Sequence, residues 1–217
     1  MKKILLLVLP WMLLAKTATA QFGQGTKHWG TTISFEGSAQ RHKPDNVGES
    51  KLNNHVISPS VQFGKFTKDN LMLGLRLNAY LNFYKTKSEV VTEYESSNNY
   101  LNVTLSPFIR KYKTLSPKWA LFLEPGLNLG YLRSWSKSTN DDDESQNGFL
   151  AGAYIYPGIV YRVTPRFALE ADLNLLSLNL QYASMNKSDS FGFNAGITSS
   201  IQQYFGIRAS WYIAKSN

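Results

Sequence analysis

Apolar residues recur at every second position along most of the chain from Trp29 onward. In the clearest stretch, Leu71–Tyr84, the odd positions are Leu, Ala or Phe, and the even positions are mostly Gly, Arg, Asn and Tyr. Successive side chains of a β-strand point to opposite faces, so this stretch would have one apolar face and one polar face. A helix repeats its apolar positions every three to four residues instead. The pattern therefore predicts a β-strand.

The same alternation recurs along the rest of the chain, and the sequence predicts eight strands in all. One face of each strand holds mainly Leu, Ile, Val, Phe and Trp, and the other holds mainly Gly, Ser, Asn and charged residues. The predicted strands cover Trp29–Glu36, Val56–Phe63, Leu71–Tyr84, Tyr100–Arg110, Leu121–Tyr131, Phe149–Arg162, Phe167–Leu175 and Tyr204–Ile213.

Three features fit this pattern less well. The alternation loses phase near Leu176–Leu180, which indicates a β-bulge in the seventh strand. The segment Phe191–Ser200 fits either an extension of the eighth strand or an ordered part of the last loop. Proline lacks a backbone donor and is disfavoured inside a sheet, yet four prolines fall on the apolar faces: Pro59, Pro107, Pro125 and Pro157.

The connections between the predicted strands alternate in length, which is typical of outer-membrane barrels. The sequence therefore predicts an all-β fold: an eight-stranded antiparallel up-and-down transmembrane β-barrel in the bacterial outer membrane, with both termini periplasmic. The short connections carry turn residues such as Asp-Asn and Ser-Pro. They lie near Lys65–Asn70, Thr114–Lys118 and Thr164–Arg166, and the long polar ones near Ala39–Asn54, Lys85–Asn99, Ser136–Gly148 and Ala183–Ser190.

Alternation alone does not say which face points outward. A soluble exported barrel of the lipocalin kind would place its apolar face inside. The stretch Leu71–Tyr84 is longer than the roughly 9–11 residues that cross a membrane as a tilted strand, which favours the transmembrane alternative. The balanced charges on the polar faces favour it as well.

The first twenty residues have the three parts of a secretory signal peptide. Lys2 and Lys3 are basic, Ile4–Leu14 is apolar but too short to span a bilayer comfortably, and Ala18-Thr19-Ala20 is a cleavage site. The alternative is an uncleaved anchor. The sequence thus predicts a signal peptide over residues 1–20 and a barrel domain over residues 21–217.

The composition of the chain excludes several kinds of functional site and partner. The chain has no cysteine, which excludes disulfides, a thiolate metal site, a cysteine nucleophile and a lipid-modified N-terminal cysteine. Loss of the signal peptide would lower the formal net charge from +8 to +5. These charges are scattered and lack the clustered basic and stacking residues of a nucleic-acid site, so no nucleic-acid partner is expected.

Aromatic residues cluster at the ends of the predicted strands. Such positions suit the two girdles that outer-membrane barrels place at the membrane interfaces. The alternative is that aromatic residues simply favour strands. The predicted girdle comprises Trp29, Tyr112, Trp119, Trp135, Phe149, Tyr161, Phe167 and Trp211.

A lysine-led signal, the Ala20–Gln21 junction, eight alternating strands and the closing segment Phe205-Gly-Ile-Arg-Ala-Ser-Trp-Tyr-Ile213 resemble small outer-membrane β-barrel proteins of the OmpX and OmpW kind. The resemblance implies outer-membrane lipid and the barrel-assembly machinery as partners. In that group the chain usually ends on an aromatic residue of the last strand, whereas here residues 214–217 follow Ile213. A closed barrel has no free edge, so a monomer is expected.

The polar faces carry four acidic and four basic residues, which would point into the lumen. Eight strands leave an interior that side chains just fill, and an unpaired buried ion is severely penalised. We therefore expect a plug of Arg–carboxylate pairs, surrounded by Tyr80, Tyr154, Tyr156 and Tyr204. The alternative is a selectivity ring in an open pore. The predicted lumen charge network comprises Glu36, Arg76, Arg110, Glu124, Arg162, Glu170, Asp172 and Arg208.

Candidate catalytic chemistry is sparse. The three histidines, His28, His42 and His55, have no nucleophile at a recognisable spacing. The acidic run Asp141–Glu144 lacks the glycine and ligand spacing of a calcium loop and reads as solvated loop. The sequence predicts no catalytic residues, no metal and no cofactor.

Three functions remain open from the sequence. The first is a structural or interaction barrel that displays surface loops to an unidentified ligand. The second is a narrow, porin-like channel or transporter for small solutes. The third is a lipid-modifying enzyme with its site at the barrel rim.

Overall fold

A computed structural model describes residues 22–43, 48–88, 94–139, 142–173, 177–196 and 205–214, and for residues 196, 205 and 206 it describes only the backbone. The predicted signal peptide and Tyr204 lie outside these residues. The described chain forms ten strand segments: β1 Lys27–His42, β2 Ser50–Lys68, β3 Leu71–Ser88, β4 Tyr94–Thr114, β5 Trp119–Ser138, β6 Glu144–Arg162, β7 Phe167–Leu173, β8 Ser177–Met185, β9 Ser188–Gly196 and β10 Phe205–Ile213.

The ten segments form one closed antiparallel ring of eight strands. Strands β1 to β6 pair in chain order, and β6 pairs with both β7 and β8, which together make the seventh strand. The eighth strand consists of β9, which pairs with β8, and β10, which pairs with β7. The ring closes because β10 also pairs with β1. The predicted eight-stranded up-and-down barrel is confirmed.

The loss of phase in the seventh strand has a defined origin. Gly158 of β6 lies opposite Asp172 of β7, whereas Ile155 lies opposite Leu178 of β8. Between these two pairs, the positions on β6 differ by three residues and the positions on the seventh strand differ by six. An odd difference exchanges the two faces of a strand. Even-numbered residues therefore face the lumen in β7, and odd-numbered residues do so in β8.

The four prolines lie where pairing with one neighbour is interrupted. The register between β2 and β3 has a gap at Pro59, and the register between β4 and β5 has gaps at Pro107 and at Pro125. Pro157 lies beside the junction of β7 and β8. Each proline stays in register with its other neighbour. The missing donor is tolerated because the ladder is already broken on that side.

The predicted short connections are confirmed and cover residues 69–70, 115–118 and 163–166. The predicted long connections are wrong in extent, because β1 continues to His42, β4 begins at Tyr94 and β6 begins at Glu144. The last of them is a two-residue turn, Asn186-Lys187, with φ values of 46° and 65° that suit a tight hairpin. The following segment is strand β9. The added ends of β1, β4 and β6 are polar on both faces, so no alternation of apolar and polar residues marks them as strand.

Most large apolar side chains in the middle of the strands face outward, whereas Arg110, Glu124 and Glu170 are buried inside the barrel. On β5, Leu127 is 53% exposed and Glu124 is 1% exposed. A lipocalin-like arrangement, with the apolar face inside, is therefore wrong for this chain. No helix in the described parts of the chain is long and apolar enough to cross a membrane.

Candidate functional site: the barrel lumen

Six charged side chains from five strands meet in the lumen, and we call them the lumen network: Arg76, Arg110, Glu124, Glu170, Asp172 and Arg208. Their strands are β3, β4, β5, β7 and β10. Inward positions of the alternating strands bring together residues that are up to 132 positions apart in sequence. Three arginines and three carboxylates balance in charge, which is what a narrow lumen of low polarity requires.

Arg110 links the two halves of the network. Its guanidinium donates to Glu124 Oε2 at 2.7 Å from Nε and to Glu170 Oε2 at 2.6 Å from Nη1. Arg110 is fully buried, and both glutamates are about 1% exposed. The same guanidinium lies 4.2 Å from the centroid of the Phe122 ring. The Arg110 charge is thus paired with two carboxylates and packed against an aromatic ring.

The other two arginines complete the pairing. Arg76 Nη2 lies 2.7 Å from Glu124 Oε1, and Arg208 contacts Glu170 at 3.0 Å and Asp172 at 2.5 Å. Charge-assisted hydrogen bonds of this kind are stronger than neutral ones. Removing one partner would leave a buried charge uncompensated.

Neutral polar groups satisfy the remaining carboxylate lone pairs. Tyr154 donates to Glu124 at 3.1 Å, and Tyr212 donates to the same Glu170 oxygen that lies 3.1 Å from His28 Nε2. Sequence reasoning missed His28 and Tyr212 as partners of the lumen network, although both occupy inward positions of their strands. His28 was considered only as a candidate catalytic residue.

An aromatic layer closes the lumen below the lumen network, on the side of the short turns. We call it the aromatic seal, and it consists of Phe22, Phe66, Tyr112 and Tyr212. The Phe22 ring lies at the centre, 4.5 Å from Tyr112, 4.8 Å from Tyr212 and 5.3 Å from Phe66 between ring centroids. All four are at most 4% exposed. The sequence did not predict this layer.

Backbone hydrogen bonds hold the segment of Phe22 across the barrel end. The Phe22 carbonyl accepts from Asn70, and the Gly25 amide donates to the Phe66 carbonyl, at 2.9 and 2.8 Å. Gly25 has a φ of 86°, which other residues rarely adopt. The Gln24 amide donates to Asp69 Oδ1 at 2.9 Å. The chain before β1 therefore folds over the turn between β2 and β3 and inserts Phe22.

Two predicted members of the charge network lie elsewhere. Glu36 is exposed, and among the described residues it forms no ion pair. The register explains this, because Gly30, not Glu36, lies opposite Gln62 beside the lumen network, and six residues of strand separate the two by about 20 Å. The Arg162 guanidinium lies 4.7 Å from the Phe22 ring centroid, against the aromatic seal.

Of the four tyrosines predicted around the plug, only some lie at the lumen network. Tyr154 contacts the lumen network, and Tyr156 stacks on the Tyr154 ring with 4.6 Å between ring centroids. Tyr80 is 38% exposed and contacts Tyr100 farther up the barrel. Tyr204 lies outside the described residues.

The predicted girdle lies on the outer surface with one exception. Three cross-strand pairs line the short-turn side: Trp29–Phe63, Trp119–Tyr161 and Phe167–Trp211, with 4.4, 4.7 and 5.3 Å between ring centroids. Towards the other end, Trp135 lies beside Arg133 and Phe149 beside Tyr182. Tyr112 was assigned wrongly. It shares the inward parity of Arg110 and is buried in the lumen.

The lumen above the network is lined by uncharged polar groups. Ser106 donates to Asn128 at 2.7 Å, and Thr104 donates to Asn102 at 2.8 Å. Leu132 and Leu150 are also buried there, at 3% and 5% exposure. This part of the lumen contrasts with the charged and aromatic layers below it.

Beyond the apolar surface the strands continue as an outer rim, formed by residues 37–43, 48–54, 84–88, 94–99, 133–139 and 142–148. Its charges pair on the surface: Glu49 contacts Arg41 at 2.5 Å and Lys51 at 2.8 Å, and Lys137 contacts Asp143 at 2.8 Å. Hydrogen bonds from Arg41 and Lys51 lower the pKa of Glu49 to about 2.

The rim shows no assembled reaction site. His42 is exposed on it, and His55, also exposed, lies opposite Gly37 at its base. Within the described residues, no group of three or more His, Asp or Glu side chains could hold a metal ion.

No protein-family model matches the chain, and the comparison with curated proteins gives no match. The solved structures that are similar to it include two small outer-membrane β-barrel proteins. One is Ail, the attachment invasion locus protein of Yersinia pestis, in complex with the heparin analogue sucrose octasulfate, with 11% identity, a TM-score of 0.42 and coverage of 87% of this chain and 98% of Ail. The other is Neisserial surface protein A, with 15% identity, a TM-score of 0.33 and coverage of 87% and 93%.

Proposed function

We propose that this protein is an outer-membrane β-barrel with a structural or interaction role, anchored by its apolar outer surface and closed inside. The observation that carries the proposal is the inverted distribution of side chains. Large apolar residues cover the outside, and a balanced set of buried ions fills the inside. Soluble monomers rarely expose an apolar surface that large, whereas a lipid-facing barrel requires one.

The height of the apolar surface suits a bilayer. On β5 the outward residues from Trp119 to Tyr131 are all apolar or aromatic, Pro125 included. These twelve steps cover about 40 Å along the strand, or ~30 Å along the membrane normal at a tilt of about 40°. The charged residues Arg133 and Lys137 follow immediately. Outer-membrane lipid is thus the partner of this surface, and the outer rim stands in the aqueous phase.

The closed lumen favours a structural plug over a channel. The lumen network and the aromatic seal lie on top of each other, and an aqueous pathway would have to cross both. Opening it would separate Arg110 from two carboxylates and withdraw Phe22 from three rings. Open channels in such barrels require about sixteen strands.

The outer rim is the part available for interaction. Strand β4 has 21 residues, about twice the 9–11 that a membrane crossing needs. The rim is therefore a paired extension of the barrel, not a set of loose loops. A polar surface built on paired strands would display a binding face to an extracellular ligand. The described residues offer no nucleophile and base in contact there, so we propose that the barrel is not an enzyme.

Planar-bilayer recording of the refolded protein tests the plug. We expect no conductance steps from the wild type, from Arg76→Ala or from Glu124→Ala, with the variants only unfolding more easily. A porin of sixteen strands in the same membrane is the positive control. Wild-type conductance steps whose ion selectivity changes in Arg76→Ala or Glu124→Ala would contradict the plug and favour a narrow channel.

A further inference from the structure

Two lysines lie directly opposite each other at the short-turn end of the barrel. Lys27 of β1 pairs in register with Lys65 of β2, and both side chains are exposed on the outward face. Like charges directly opposite in an antiparallel pair destabilise it, because their Cβ atoms are about 5 Å apart. We call these two residues the lysine pair.

Apolar side chains, not carboxylates, flank the lysine pair. On the far side of β1, Lys27 lies opposite Ile213, and on the far side of β2, Lys65 lies opposite Leu73. Among the described residues, no carboxylate forms an ion pair with either lysine. The nearby Asp69 is engaged by the Gln24 amide at 2.9 Å. The chain itself therefore leaves the two adjacent charges uncompensated.

A surface cleft of about 800 Å³ lies at the lysine pair and is lined by Gln24, Gly25, Lys27, Lys65, Phe66 and Thr67. The N-terminal segment that carries Phe22 forms one of its walls. The cleft thus places two cations at the level where the barrel leaves the apolar zone. Its size and charge suit a phosphate-bearing headgroup.

The outward surface immediately above the lysine pair is apolar. Two residues farther along each strand, Trp29 packs against Phe63, with 4.4 Å between ring centroids. Beyond Thr31, whose hydroxyl donates to the Ser60 carbonyl, Ile33 and Phe35 continue the column on β1 and are 62% and 68% exposed. A group bound at the lysine pair would therefore meet an aromatic pair and then a mostly apolar, lipid-facing surface. This order of cation, aromatic pair and apolar side chains matches the order of headgroup, interface and acyl chain in a phospholipid.

We infer that the lysine pair is a site for an anionic phospholipid of the periplasmic leaflet. The phosphate lies between Lys27 and Lys65, and the acyl chains lie along Trp29, Phe63 and the column above them. A free phosphate ion would use the lysines but not the apolar column, so the lipid is the occupant that the whole surface fits. The inference rests on the proposed function, because it requires the apolar surface to lie in a membrane.

Quenching of Trp29 fluorescence by brominated lipids tests the inference. In the barrel domain without the predicted signal peptide, Trp29 is made the single tryptophan by Trp119→Phe, Trp135→Phe and Trp211→Phe. The protein is refolded into phosphatidylcholine vesicles that contain a minor fraction of brominated phosphatidylglycerol or, separately, brominated phosphatidylcholine. Each lysine near a membrane surface favours an anionic lipid by about fivefold. We expect phosphatidylglycerol to be enriched at Trp29 by roughly fivefold or more.

Two double variants separate a site from diffuse attraction. Lys27→Gln/Lys65→Gln removes two charges at the site, and Lys111→Gln/Lys113→Gln removes two charges from β4 at the same end of the barrel. We expect the first variant to lose the preference for phosphatidylglycerol and the second to keep it. Refolding of each is checked by circular dichroism, since all four side chains are exposed.

Other outcomes of the quenching experiment would overturn either the lysine-pair site alone or the site together with the proposed function. Equal quenching by both lipids in the parent protein, or equal loss of preference in both double variants, would overturn the lysine-pair site and leave membrane insertion intact. No quenching by either lipid would mean that Trp29 does not face lipid, which would overturn the proposed function together with this inference.

Discussion

Replacing Arg110 by Leu is expected to destabilise the barrel by about 3–5 kcal/mol. The side chain is fully buried and makes ion pairs with Glu124 and Glu170 at 2.5 and 2.6 Å. Leucine fills part of the volume but supplies no charge, so excess negative charge would remain in a closed lumen. We expect the urea midpoint of the vesicle-refolded barrel to fall accordingly, as measured by tryptophan fluorescence and by protection from protease.

Two further variants show whether charge, and not volume, causes this loss. Arg133→Leu removes an arginine from the exposed outer face of β5 and should leave the urea midpoint unchanged. Arg110→Leu combined with Glu170→Gln leaves two arginines and two carboxylates, with Arg76 paired to Glu124 and Arg208 to Asp172. This double variant should recover much of the stability, because a buried ion set without an uncompensated charge costs little. A loss below about 1 kcal/mol in Arg110→Leu would contradict a buried, tightly paired network.

Gly158→Ala is expected to destabilise the barrel by more than the 1–3 kcal/mol that is usual for an overpacked core. A Cβ atom built at Gly158 of β6 would lie 1.9 Å from Cζ of Phe122 on β5. Gly158 lies opposite Phe122 in the register. The ring cannot withdraw, because it is 3% exposed and its face lies against the Arg110 guanidinium. Urea unfolding in vesicles measures the effect.

A double-mutant cycle with Phe122→Ala tests the cause. If the clash with the ring is responsible, Gly158→Ala should have almost no effect in the Phe122→Ala background, so the two changes would be strongly non-additive. Additive losses would show that the glycine serves another purpose, such as backbone conformation.

The strands and their faces could be predicted from the sequence because both depend on local alternation. The outward leucines of β3 and β5 and the inward Arg110 and Glu124 follow from parity alone. The strand register does not, since it depends on which residues of two strands lie opposite each other. Glu36 was placed in the charge network because it lies on the polar face of its strand, whereas the register brings Gly30 to the level of the network.

Two further predictions differ from the structure: the placement of Tyr112 in the girdle and the interpretation of the outer rim as loop. Tyr112 was assigned to the girdle because it lies at a strand end, but it has the inward parity of Arg110 and joins the aromatic seal. The outer rim was taken as loop because its residues are polar on both faces. Paired strands need no apolar face once they have left the lipid, so hydropathy carries no signal there.

The aromatic seal lay beyond sequence reasoning for a different reason. Phe22 precedes the first strand and has no periodic context that would mark it as buried. Its position depends on long-range contacts with Phe66, Tyr112 and Tyr212. The inward placement of Phe66 and Tyr212 by parity was the one available signal, since two large rings on a narrow lumen face require a partner.

The depth of single labels along β5 tests the central claim most directly, and the chain has no native cysteine to interfere. Cysteines for spin labels replace outward residues from the short-turn end to the outer rim: Leu121, Leu123, Leu127, Leu129, Tyr131, Arg133 and Lys137. In lipid vesicles we predict that oxygen accessibility, relative to that of a water-soluble nickel reagent, rises to a maximum between Leu123 and Leu129. It should then fall to the aqueous value at Lys137. Uniform access of the nickel reagent to all seven positions would contradict a membrane-embedded barrel.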